Sequence, residues 1–344
     1  WCDSIKSFNS KMASDLFDII MKNVNVVSIT CLQSASKTFK EKYKDITFDT
    51  VVIDEVSKSI PPELILPSTL GKSLVLIGDH KQLPPMIDNQ TLDEINEDFK
   101  DSLKESVFKI LFENIESTHK IMLNVQYRMH SQIMNVINCF YDNALLCGLS
   151  KDEEETKKNH CINGTFITMN NHVIWFDIPN KNRYFEGKDG TSTYNISEIS
   201  AIKSILAEIN DNLTIDKTNV SIISFYGAQI KRIKESINIK EFPKLNIKIS
   251  TVDRFQGAES EIVIVSTVRN NSYGDIGFAK SFERINVAFS RAQKLLIIVG
   301  SSEMLTTCKN SASNAVYQKI YNTIQSYNGI VPVEVLKTYY EVHN

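Results

Sequence analysis

A chain of 344 residues, 42% hydrophobic and 23% charged, is long enough to bury a large core and to form two domains rather than one. Its net charge of −3 and pI near 6.1 exclude a strongly basic, nucleic-acid-coating surface, although a groove can carry local Lys and Arg on an acidic body. No apolar run approaches the roughly 18 residues that a membrane span needs, and no basic-then-apolar leader opens the chain.

Apolar, β-branched runs alternate with helical stretches. Strands are predicted at NVNVVSIT from Asn23, FDTVVID to Asp54, SLVLIGD to Asp79, HKIMLNV from His119, HVIWFDI, NVSIISF, NIKISTV, EIVIVSTV and KLLIIVGS. They are short and almost continuously apolar, as strands buried on both faces should be. Helices are predicted over Ser10–Lys22, Ser102–Glu113, Ser131–Tyr141, Asn195–Ile209, Ala228–Ile237 and Phe282–Ser290. That alternation predicts doubly wound α/β sheets with parallel strands. The acidic stretch 88–101 and KDEEETKKNH from Lys151 read as solvated surface segments.

The cysteines at 2, 31, 139, 147, 161 and 308 form no C-x-x-C pair, which predicts reduced thiols and an intracellular, cytoplasmic setting. Cys139, Cys147, His160 and Cys161 cluster in sequence, but their spacing matches no usual zinc pattern.

Two segments carry phosphate chemistry. VVIDEVSKS ends an apolar strand in Asp54–Glu55, and a carboxylate pair at a strand's C-terminal end lies at the ligand-binding edge of an α/β sheet. In a nucleotide hydrolase the Asp holds magnesium through water and the Glu polarises the attacking water. Strand–Asp–Glu also occurs as an ordinary acidic turn. SLVLIGDHKQLPPM follows, in which Gly78 allows a close backbone approach, Pro84 and Pro85 stiffen the exit, and Gln82 offers a neutral amide to a phosphate or water.

Together these segments resemble motifs II and III of superfamily 1 helicases, in the 5′→3′ branch that includes senataxin and the nonsense-mediated-decay helicases. LNVQYRMHSQIMNVINCFY, GTSTYNISEISAI, ISFYGAQIKRI, STVDRFQGAESEIVIVSTVRN and INVAFSRAQKLLIIVGS continue the resemblance in the family's order, to motif VI. The implied fold is a pair of RecA-like parallel-sheet domains of the P-loop NTPase type, the first incomplete, over 1–117 and 118–330, with a C-terminal extension over 331–344.

The resemblance implies an ATP hydrolase that moves on single-stranded DNA or RNA, with ATP and Mg2+ as cofactors. Asp54 would hold the metal through water and Glu55 would polarise water. Gln82, Arg128 and Arg291 would face the γ-phosphate, Arg291 as the arginine finger. Tyr127 would stack on adenine, Gly257 would bring backbone to phosphate, and Glu259 would bind a ribose hydroxyl. Arginines of the second domain that act only on closure would couple hydrolysis to movement. Thr30, Pro84, Pro85 and Thr251 would meet nucleic-acid backbone without reading sequence. For the arginines the ordinary alternative is an ion pair, and for Thr30 a turn.

The resemblance departs from the family at three places. The phosphate-cradling G-x-x-x-x-G-K-[ST] is absent. Gly71-Lys72-Ser73 lacks the first Gly at Leu66 and reads as a turn before the next strand. With Trp1 as the first residue, the expectation is an upstream segment carrying the Walker A loop, without which this stretch is inactive. Val56-Ser57-Lys58 and Phe289-Ser290 are the smaller departures. Two other readings stay open: a nucleic-acid-binding scaffold that has lost catalysis, and the helicase part of a helicase–nuclease.

Overall fold

The computed structural model describes residues 15–16, 19–20, 23–43, 47–85, 87, 106–255 and 257–336. It divides into two compact units, Trp1–Gly78 with Pro85–Phe108, and Asp79–Pro84 with Lys109–Asn344. The predicted helix at Ser10–Lys22 lies mostly outside the described residues, as does the acidic stretch 88–101.

In the first unit, helix α1 (Cys31–Ser34) and a further helix over Lys37–Tyr43 precede strand β1 (Phe48–Ile53), helix α2 (Pro61–Ser68) and strand β2 (Gly71–Leu76). Helix α2 opens with Pro61 and Pro62, where the missing N–H groups cost nothing, and Glu63 accepts from the Ile60 N–H. The strands pair in parallel, Val51 opposite Leu74 and Ile53 opposite Leu76. Three expectations fail here. Residues 25–30 form no strand, and Thr30 caps α1 instead. Gly71-Lys72-Ser73 begins β2 rather than a turn. Nor are these strands buried on both faces, since Val52, Leu74 and Val75 are exposed in a sheet of only two strands among the described residues.

The second unit contains helices α3 (Ser131–Ile137) and α4 (Lys151–Lys157), strand β3 (Val173–Asp177), helix α5 (Ile196–Asn212), strand β4 (Thr218–Ser224), helix α6 (Gly227–Ser236) and strand β5 (Leu245–Thr251). Strand β6 (Ser260–Ser266), helix α7 (Phe282–Ser290), strand β7 (Ala292–Gly300), helix α8 (Ser311–Ser326) and strand β8 (Ile330–Pro332) complete it. All strands of its six-stranded sheet are parallel, in the order β8-β3-β7-β6-β4-β5.

Strand periodicity sends alternate side chains to opposite faces. Trp175, Val263, Val265, Leu296 and Ile298 join a core with Ile133 of α3, Phe289 of α7 and Ile320 of α8. Their neighbours Phe176, Ile262, Ile264, Leu295 and Ile297 join a second core with Ile202 and Ile205 of α5 and Ile233 of α6. Both faces are covered, which is why these strands read as unbroken apolar runs.

The sequence differs from the fold elsewhere too. HKIMLNV yields only Val125–Gln126 as strand, paired with Leu146–Cys147, while Ile121 and Leu123 are exposed, with no partner strand among the described residues. KDEEETKKNH is not a loop but carries α4. Ser150 and Glu153 form a capping box there, and Asp152, Glu153 and Glu154 favour the positive helix start. The predicted helix from Ser102 is helical over Val107–Asn114. Helix α8 was not anticipated, nor was the joining of β8 to β3; beyond β8, Val333 and Leu336 are buried.

Candidate active site

The acidic pair sits where β1 ends. Glu55 takes left-handed backbone (φ 56, ψ 31) and opens a short turn over Val56–Lys58. Its N–H donates to Asp54 Oδ1 at 2.8 Å, and its carboxylate pairs with Lys58 at 3.2 Å. The Val56 N–H donates to the Ile77 carbonyl, and the Ile77 N–H to that of Ile53, so the two strand ends are laced together. A Cβ on Gly78 would lie 3.0 Å from Val56 Cγ1 and 3.1 Å from the Ser57 nitrogen, so this position demands a close backbone approach. Both carboxylates are exposed. An exposed Asp beside a Glu fits magnesium, which keeps most of its own waters and binds few protein oxygens.

In the second unit, Arg291 ends α7 and immediately precedes β7. It is 4% exposed. Its guanidinium donates to the Val287 carbonyl (3.2 Å), the Ala258 carbonyl (3.3 Å) and Gln82 Oε1 (2.7 Å). Gln82 belongs to the segment Asp79–Pro84, which is pinned to this unit by Leu83 in its core. The structure therefore brings together two residues 209 positions apart.

Arg128 and Glu259 form a second pairing, Nε to Oε2 at 3.0 Å, and the other Glu259 oxygen accepts from Gln293 at 2.7 Å. The Arg128 loop is shaped by Gln126, whose amide accepts from the Met129 N–H and donates to its carbonyl. Tyr127 beside it is 61% exposed. Its ring covers Gly148, where a Cβ would lie 2.4 Å from the ring carbons. Gly257 has φ +82 with open space around a would-be Cβ, so backbone conformation rather than crowding calls for glycine.

The nucleic-acid candidates are dispersed. Thr30 spends its hydroxyl on a capping box with Gln33. Pro84 is exposed and Pro85 buried. Thr251 ends β5, ahead of the Asp253–Arg284 ion pair at 3.3 Å.

Sequence reasoning missed three residues around Gln82. Asp79 Oδ2 accepts from Gln82 Nε2 at 2.8 Å and from the Tyr141 hydroxyl at 2.5 Å. Asn286 Nδ2 donates to the Tyr141 oxygen (2.8 Å) and the Lys81 carbonyl (2.9 Å). A usable signal was Asn286 itself, a lone amide between Ile285 and Val287 in an apolar helix.

Among the described residues no group of three His, Cys, Asp or Glu could hold a metal ion. The five described cysteines are free. No described helix is long and apolar enough to cross a membrane.

The second unit is thus an α/β domain built on a parallel sheet, with a buried arginine bonded to a glutamine at the start of one strand. A sequence family described as an AAA domain matches residues 103–303, and another of the same description matches 3–90. The DNA polymerase alpha-associated DNA helicase A of Saccharomyces cerevisiae is 30% identical over 89% of this chain and 46% of its own length. An uncharacterized ATP-dependent helicase of Methanocaldococcus jannaschii is 31% identical over 85% and 42%. Helicase sen1 of Schizosaccharomyces pombe is 31% identical over 84% and 16%. The chain belongs to the AAA-domain family, among superfamily 1 helicases of the senataxin and nonsense-mediated-decay type. It spans less than half the length of these relatives.

Proposed function

We propose that this chain is the motor part of an ATP-dependent helicase or translocase acting on single-stranded DNA or RNA. The observation that carries the reading is the Gln82–Arg291 hydrogen bond at 2.7 Å, which joins a neutral amide to a buried guanidinium at the start of a sheet strand. Phosphoryl transfer needs groups that place water and stabilise charge rather than covalent chemistry. Gln82 and Arg291 meet that need, with Arg128 as a second cation. Tyr127 and Glu259 are suited to base and ribose. Asp54 would hold Mg2+ and Glu55 would orient the attacking water; the bound ion supplies charge neutralisation at the phosphates. Nucleic-acid backbone would meet Thr30, Pro84, Pro85 and Thr251. The domain limits in this reading are 1–117 and 118–330, save that Asp79–Pro84 belongs with the second unit and that residues 331–336, expected in an extension, add to its sheet and core.

The test uses the full-length protein, with ATP hydrolysis measured without nucleic acid and with single-stranded DNA or RNA. Turnover should rise with nucleic acid and its stimulation should weaken steeply with salt. Glu55→Gln should lower turnover by about 100-fold or more while nucleotide still binds. Full turnover by Glu55→Gln would remove that residue from the chemistry. Nucleic-acid binding with no hydrolysis by the wild type would favour a scaffold.

A further inference from the structure

Gln82 can face Arg291 in two ways, because an amide presents either its oxygen or its NH2 group. Only the oxygen can accept from a guanidinium, which has donors and no acceptor. What selects the orientation lies on the other side of the amide. Asp79 Oδ2 accepts from Gln82 Nε2 at 2.8 Å, and a carboxylate that accepts there fixes the NH2 group toward itself. The oxygen is thereby turned to Arg291.

Asp79 is held in turn. Its Oδ1 accepts from the Lys81 N–H at 3.0 Å, and its Oδ2 also accepts from the Tyr141 hydroxyl at 2.5 Å. Tyr141 sits in the short turn Asn138–Tyr141 that follows α3. Burial, reinforced by the Asp79 carboxylate, raises its hydroxyl's pKa, which keeps it a donor. Asn286 of α7 completes the chain. It is fully buried and donates both to the Tyr141 oxygen and to the Lys81 carbonyl. The same helix ends in Arg291, one turn and a half further on. Helix α7 thus fixes both ends of the relay, Arg291 directly and Gln82 through Asn286, Tyr141 and Asp79.

We propose that Tyr141 is a positioning residue, one that sets the orientation of the Gln82 amide through Asp79, with Asn286 locking its hydroxyl. The proposal rests on the hydrolytic reading of Gln82 and Arg291 given above. The work of Tyr141 is to keep Gln82 an acceptor toward Arg291, so that the pair meets a γ-phosphate in one arrangement rather than two. Asp79→Asn tests the same link differently. An asparagine keeps the size but offers either a donor or an acceptor, and so frees the Gln82 amide to turn over.

The experiment is steady-state ATP hydrolysis by the full-length protein with single-stranded nucleic acid, for the wild type, Tyr141→Phe, Asp79→Asn, Gln82→Ala and Gln82→Ala/Tyr141→Phe. Tyr141→Phe should lower kcat by about fivefold to tenfold, the rate equivalent of one hydrogen bond, with KM for ATP within about twofold. Asp79→Asn should lower it at least as far. In the Gln82→Ala background, Tyr141→Phe should change nothing further. An equal loss of kcat with and without Gln82 would mean that Tyr141 merely supports the fold, and would overturn the proposal. So would an unchanged kcat in Tyr141→Phe when Arg291→Ala silences the same preparation. Should the wild type not hydrolyse ATP, the functional reading fails by itself. The relay is then judged by urea unfolding of the same variants, where additive midpoint shifts for Gln82→Ala and Tyr141→Phe would refute it and non-additive ones would support it.

Discussion

In the first unit Asp54 and Glu55 stand at the end of a two-stranded sheet whose Val52, Leu74 and Val75 reach solvent. In the second, Gln82 and Arg291 are bonded to each other beside a six-stranded sheet covered on both faces. The exposed acids suit a metal that keeps its water, and they keep their own hydration. In its proposed role the arginine would need the opposite setting, because a guanidinium pinned by two carbonyls and an amide meets developing charge without reorganising. Glu55 adds a contrast of its own. Its left-handed backbone costs about 1–3 kcal/mol, and the described partner of its side chain is the half-buried Lys58.

The largest effect should separate the two settings directly. Arg291→Ala in the full-length protein should cut nucleic-acid-stimulated turnover by about 1,000-fold, the low end for an arginine finger. Nucleotide affinity should change far less. Lys58→Ala removes the partner of the exposed Glu55, and its effect should stay within about fivefold, as a surface ion pair allows. If the two substitutions cost the same turnover, buried and exposed charge are not doing different jobs.

A second comparison concerns stability. Trp175 is fully buried in β3, and its indole N–H donates to the Gly300 carbonyl at 2.9 Å. Trp175→Ala should destabilise by about 3–5 kcal/mol. Val52→Ala, at a side chain 58% exposed, should cost no more than about 1 kcal/mol. Chemical denaturation of both variants decides it. A loss of several kcal/mol at Val52 would mean that its face is covered in the full-length protein.

The sheet of the second unit was legible because burial on both faces leaves a continuous apolar signature, and β3, β4, β6 and β7 all carry it. The same rule misled at 25–30 and at Ile121–Leu123, where apolar residues recur without a neighbouring strand among the described residues. Helix α4 was hidden because its charges looked solvated; the charges are solvated, and the capping box at Ser150 is what makes them helical. Helix α8 buries Tyr317, Ile320 and Ile324 at helical spacing, a weak stripe amid polar residues. At the site, Gln82, Arg128 and Arg291 stood out by motif. Around Gln82, Asn286 left a faint sign as an amide in the interior of α7, whereas Asp79 and Tyr141 are brought together by tertiary geometry that no spacing in the chain announces.

The smallest expected effect tests whether an acid inside the second unit behaves as a buried group should. Glu198 of α5 is fully buried, and its carboxyl receives hydrogen bonds from Ser266 Oγ (2.5 Å) and the Val268 N–H (2.8 Å). It thereby secures the end of β6, where Val268 holds left-handed backbone at φ 71. Burial raises its pKa from 4.5 to about 8, against the pull of those hydrogen bonds. A carboxyl with a raised folded pKa keeps in the native state a proton that the unfolded chain releases. Its contribution is therefore complete below pH 4.5 and is lost as pH rises through about 8. The histidines His130, His160 and His172 shift the other way, lowered mainly by burial, so their losses come as pH falls below 6.5. The window from pH 7 to 8 thus belongs to Glu198 among these groups. Across it the wild type should lose about 1 kcal/mol of unfolding free energy, close to the limit for one proton per pH unit. Glu198→Gln, which mimics the protonated acid, should be flat over the same range. A slope that persists in Glu198→Gln would place the titrating group elsewhere, and the buried acid would have to be ionised and stabilised by the donors from Ser266 and Val268.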